Sequence, residues 1–176
     1  VFSFWRKELV SGIITIIISA VGNLVLGLFV YTRDKKNDLF RRFLFMCLIF
    51  TIWNINLLGL IIAPSEGFAW YWAKIFSLGL ILSPPISLHF VLIFTGYKAR
   101  LEKRMLYASY GVALVFSVLN LSGLFVREFF KVGSQYFPRA GLIFELFIVN
   151  FVLFVAYSLS LVFRKWKQTT SRVKRN

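Results

Sequence analysis

Acidic side chains are scarce in this sequence, seven Asp and Glu against 21 Lys and Arg, and it holds one cysteine and one histidine. Each scarcity excludes a class of chemistry. A lone cysteine, Cys47, rules out a disulfide framework and reads as a small apolar core residue. A lone histidine, His89, rules out a His/Cys metal cluster, and no nucleophile–base spacing supports catalysis. Glycine-rich phosphate loops are missing. No lysine sits mid-way along a long apolar run, which argues against a Schiff-base chromophore. Linkers, low-complexity tracts and internal repeats are also lacking. Charged residues make up 16% of the chain, where a soluble domain carries about a quarter. No cofactor, metal or catalytic role is expected of this segment.

What the sequence has instead is apolar length. Hydrophobic residues are 59% and aromatics 19% of it, with a mean hydropathy of +0.75. Five apolar runs each approach the ~20 residues that a bilayer requires: about 9–31, 43–63, 72–97, 105–126 and 142–163. The fold class expected is all-α integral membrane, a single helical domain over 1–176 with a basic tail at 164–176. The 9–31 run is too long for a signal-peptide core and lacks a small-residue cleavage pattern, so it reads as a retained helix. Val1 in place of Met suggests that the sequence does not open at a native start.

Lysine and arginine set the orientation. Fifteen lie in the 32–42 loop, the 98–104 loop and the tail, against six on the other side: Arg6, Lys7, Lys74, Arg127, Lys131 and Arg139. The amino end is therefore expected outside and the carboxyl end in the cytoplasm. This asymmetry explains the formal charge of +14 without a nucleic-acid partner. Aromatics agree with it, Trp5, Trp70, Tyr71 and Trp72 forming an outer belt and Tyr31, Tyr97, Tyr107 and Trp166 an inner one. Pro64 stops the second helix and Ser65 is placed to cap the third. The 127–141 stretch, mixing Gly, Pro and aromatics, reads as a long outer loop folded back over the bundle mouth.

The third run carries a Pro-Pro pair. Pro84 and Pro85 lack N–H groups and their rings crowd the carbonyls of Leu80 and Ile81, so a kink is expected, with Ser83 and Ser87 able to satisfy freed groups. His89 follows about one turn later. It reads either as a bundle histidine bonded to a freed carbonyl or to Asn23, or as a titratable element in a moving helix. Counting ~1.5 Å per residue, Asn23 and His89 share an inner layer, while Asn54, Asn56, Asn120, Asn150 and Glu145 fall in an outer one. The asparagines are candidates for interhelical glue or for an outward-facing pocket. Glu145 reads either as a carboxylate near the head groups or as a group that meets an outside cation or ligand. Gly22, Gly27 and Gly59 are expected to let neighbouring helices pack closely.

Four stretches carry a family likeness: GNLVLGLFVYTRDKKNDLFRRFLFMCLIFTIWN (22–54), WAKIFSLGLILSPPISLHFVLIFTG (72–96), YFPRAGLIFELF (136–147) and SRVKRN (171–176). They resemble the first helix, basic loop and second helix, the proline- and His-Phe-bearing third helix, the Pro/Gly entry to helix five, and the basic stretch before helix six of one family. That family is the amino-terminal seven-transmembrane sensor region of bacterial and archaeal histidine kinases. The resemblance implies a seven-helix bundle of which five helices are represented, in a dimer in the cell membrane. It implies a sensor that passes an outside or intramembrane signal, from an unidentified small-molecule or lipid ligand, to a cytoplasmic output domain. Two rival readings stay open, an anchor subunit of a larger membrane complex and a transporter component.

Overall fold

The computed structural model describes residues 2–97, 99–132 and 135–173, with side chains described over 10–97, 99–132 and 135–170. Trp5, Arg6 and Lys7 of the outer set, and Lys98, Arg172, Lys174 and Arg175 of the basic set, fall outside the described side chains. Five helices and one hairpin follow in order: α1 Phe2–Arg33, α2 Asp38–Ile61, α3 Glu66–Thr95, α4 Arg100–Leu121, β1 Val126–Val132, β2 Gln135–Ala140 and α5 Leu142–Val173. All five helices are long and apolar enough to cross a membrane. Their outward faces are apolar too, Ile18, Leu114 and Leu153 being exposed, as suits side chains that meet lipid instead of water. This is a multi-pass membrane protein.

Local chemistry sets the helix ends. Asn37 caps α2 by accepting from the Leu39 amide at 3.0 Å, and Asp38 pairs with Arg42 one turn on at 3.5 Å. Ser65 caps α3 by accepting from the Phe68 amide, so this helix begins at Glu66, six residues before the apolar run. It ends at Gly96, whose φ of +72° is the left-handed conformation a C-terminal glycine adopts. The α3 helix continues through Pro84 and Pro85. Ser83 supplies part of the reason: its hydroxyl donates to the Leu80 carbonyl at 2.7 Å, the group that Pro84 leaves without an amide.

The 105–126 span is corrected at its far end. Helix α4 stops at Leu121 because Gly123 turns the chain at φ +87°, after which Val126 pairs with Ala140 across a two-stranded sheet. The segment expected to be a folded-back loop is therefore mostly an antiparallel hairpin. Aromatic and β-branched residues favour that pleat, and Pro138 is tolerated because each strand of a lone pair has a free edge. Glu128 and Arg139 pair across it. The Arg139 guanidinium, by hydrogen bond and charge, holds the Glu128 carboxyl below its ordinary range.

Helix α3 is the centre of the bundle, packing on α2, α4 and α5, whereas α1 packs on α2. Small residues make the closest seams. A β-carbon on Gly79 would lie 2.9 Å from the Trp53 backbone nitrogen, and one on Gly59 would lie 1.9 Å from the Trp72 indole. A β-carbon on Gly27 would lie 2.7 Å from Cys47 Cβ, the close approach expected there, whereas one on Gly22 would meet nothing within 4 Å among the described residues. Gly79 was not among the glycines singled out from the sequence. Substituting Gly79 or Gly59 with Ala should destabilise the fold by about 1–3 kcal/mol, while Ala at Gly12 or Gly22 should leave it unchanged or slightly steadier. Unfolding in detergent followed by far-UV circular dichroism checks this, and equal effects at all four positions would refute the packing assignment.

Candidate functional site

A cavity of about 350 Å³ opens at the hairpin end of the bundle. Its floor is α3, where Ala73 and Ser77, one turn apart, are small enough to leave space. Trp53, Asn56 and Leu57 of α2 form one wall, and Phe144, Ile148 and Phe151 of α5 form the other. Phe125, Val126, Pro138 and Ala140 close the top from the hairpin and its approach. Helices α2 and α5 both pack on α3 or the hairpin but make at most marginal contact with each other. The cavity is the gap this leaves.

Both walls are held firmly. Trp72 sits over Gly59 and donates from Nε1 to the Ile55 and Asn56 carbonyls at 3.3 and 3.2 Å, fastening α2 to α3 behind the cavity. On the other side Phe125 meets Phe144 and Phe147 at centroid distances of 5.2 and 5.4 Å, an aromatic knot that joins the hairpin approach to α5. The walls carry no charged residue, and the side chains with polar atoms on them are Asn56, Ser77 and Trp53, the last through its indole N–H. Asn56 is 5% exposed. Its Nδ2 lies 3.5 Å from Ser77 Oγ, while its Oδ1 is buried with no hydrogen-bond partner among the described residues. Buried amide oxygens are nearly always bonded, so this one stands out.

The other polar residues named from the sequence lie elsewhere. Asn54 donates to the Phe50 carbonyl of its own helix at 2.8 Å. Asn120, 2% exposed, donates to the Lys74 carbonyl at 2.7 Å and so ties α4 to α3. Asn150 is half-buried on α5, and Glu145 is exposed in that helix's first turn. The outer layer is thus split among separate contacts, with Asn56 as its one member on the cavity wall. At the basic end His89 Nδ1 lies 3.2 Å from the Tyr110 hydroxyl of α4, with the rings edge-on. Tyr110 therefore replaces the freed carbonyl and Asn23 as the partner of His89. Asn23 is half-buried on α1, away from α3. Sequence reasoning missed Ser77, Phe125 and Phe144. The Ala73/Ser77 spacing in α3 was a usable signal for the first of these.

Among the described residues no three His, Cys, Asp or Glu side chains are grouped to hold a metal. The arrangement can enclose an uncharged, mostly apolar body beside the Asn56 amide, the Ser77 hydroxyl and the Trp53 indole. The family described as the N-terminal 7TM region of histidine kinase matches residues 15–176. The chain belongs to this family. Among curated proteins and among solved structures nothing matches it. For a member of this histidine-kinase sensor-region family, the His89–Phe90 pair and the proline site of α3 lie on the bundle's central helix, and the cavity lies within the matched residues.

Two buried asparagines now have different roles to test. Asn120→Ala removes a bond between helices and should lower stability by about 0.6–2 kcal/mol. Asn56→Ala, which loses only a long contact to Ser77, should cost less. Reversible unfolding in mixed detergent micelles measures both, and a larger loss for Asn56→Ala would show that Asn56 is structural glue.

Proposed function

We propose that the chain is the sensory input region of a histidine-kinase-type signalling protein of the plasma membrane, acting as a dimer, with the hairpin outside and the basic ends in the cytoplasm. The observation that carries this reading is the course of α5. One helix runs from the cavity wall, at Phe144, Ile148 and Phe151, to Val173 in the basic segment. Its 32 residues make a rod about 48 Å long. A change in how α5 leans on the cavity is carried along the rod to whatever follows on the cytoplasmic side. A ligand drives such a change only through different affinities for two packings, and the gap between α2 and α5 lets those packings differ. The lysine and arginine asymmetry supports the orientation.

Two measurements test the proposal. Cysteines introduced as Lys35→Cys and Lys103→Cys, with Cys47 replaced by Ser, should resist a membrane-impermeant maleimide in intact cells, and Arg127→Cys should react. Insertion of Gly-Gly after Phe163 in the full-length protein should leave membrane insertion intact and abolish stimulus-dependent autophosphorylation. Reaction at Lys35→Cys, or an unchanged response with α5 interrupted, would overturn the reading.

A further inference from the structure

We propose that the cavity binds a neutral, single-chain amphiphile that points one hydroxyl or N–H donor at Asn56 Oδ1 and lies with its apolar body between α2 and α5. The proposal rests on the sensory reading for the cavity's role, and on the cavity itself for the ligand's chemistry. Three observations set that chemistry. The buried Oδ1 has no partner among the described residues, and Nδ2 already faces Ser77, so the amide is oriented to accept. A carbonyl oxygen buried without a bond carries a desolvation penalty that a donor relieves. The walls hold no charged group, so a carboxylate, phosphate or ammonium ligand would be buried without a counter-ion, which is strongly unfavourable.

Size and access narrow the class further. At the ~30 Å³ that a small heavy-atom group occupies in a liquid, the cavity takes about a dozen non-hydrogen atoms. That is too little for a two-chain lipid and far too little for a helix, whose diameter is about 10 Å. Leu57 of α2 and Ile148 of α5, both on the cavity lining, are 39% and 40% exposed, and the way in is assigned to the gap between their helices. Leu57 is four residues from the end of α2 and Ile148 six from the start of α5, so the opening lies below the hairpin, within apolar helix. Entry is from the lipid phase, which selects a molecule that partitions into membranes.

The test uses the full-length protein in phosphatidylcholine nanodiscs and three photoreactive probes: a ten-carbon alcohol bearing an alkyl diazirine, its methyl ether and the matching carboxylate. Peptide mapping should place the alcohol on Leu57, Phe144 or Ile148, about three- to tenfold above the ether, the value of one hydrogen bond. The carboxylate should label these residues least. Asn56→Leu should bring the alcohol down to the level of the ether. Because the comparison of alcohol with ether is made in the wild-type protein, it stands even if the variant fails to fold. Equal labelling by alcohol and ether would overturn the proposal. So would labelling spread evenly over the lipid-facing residues of α1, or none in the cavity because a side chain from another helix fills it. Labelling needs no signalling output, so a probe that binds without altering autophosphorylation would sink the sensory reading and leave the binding site standing.

Discussion

The seam between α2 and α3 is the contact on which the remainder of this bundle depends. Gly59 and Gly79 bring the two helices close enough for Trp72 to lie against α2 and donate to two of its carbonyls. In lipid there is little hydrophobic gain from pressing one apolar helix on another, so close backbone approach and interhelical hydrogen bonds must supply the attraction. With α2 fixed, α3 presents its other faces to α4 and α5, and α1 is left to pack on α2. The small residues Ala73 and Ser77 lie on the same helix as Gly79, but α5 does not close over them. One part of α3 is thus used for tight packing and the next part for a void.

Polar groups within the helices show the same division. Ser83 restores a partner to the carbonyl that Pro84 orphans, Thr51 bonds back to the Cys47 carbonyl at 2.9 Å, and Asn120 ties α4 to α3. Each satisfies itself inside the protein, as the hydrocarbon phase demands. Asn56 Oδ1, like Tyr97 Oη and Glu102 Oε2, is buried without a bond among the described residues, and of these three residues only Asn56 lies on the cavity wall. The contrast between well-bonded neighbours and one unbonded oxygen is what makes the cavity chemically specific, since its volume alone would suit many molecules.

The hairpin binds these parts into one mechanical unit. Phe129 packs with Leu60 and Ala73 at the end of α2 and start of α3, while Phe125 lies among the aromatics of α5. The hairpin and its approach therefore touch both walls of the cavity. Both helices thus meet the hairpin region, which also covers the space below it.

By itself the amino-acid sequence determined the membrane fold class, five spans, the cap at Ser65, the close approach at Gly27 and Gly59, and the family. The spans and the cap follow from hydrophobic length and capping chemistry, which act locally in the chain, and the two glycines from the general need for small residues where helices meet in lipid. Only the tertiary structure decided the hairpin, the unbroken course of α3 through its prolines, and the Tyr110 partner of His89. It alone set Asn56 apart from Asn54, Asn120 and Asn150. Depth along a helix is readable residue by residue, but the direction a side chain faces across the bundle depends on which helices meet and at what rotation. That rotation is set by small residues such as Gly79 meeting neighbours far away in the chain, so no local pattern carries it.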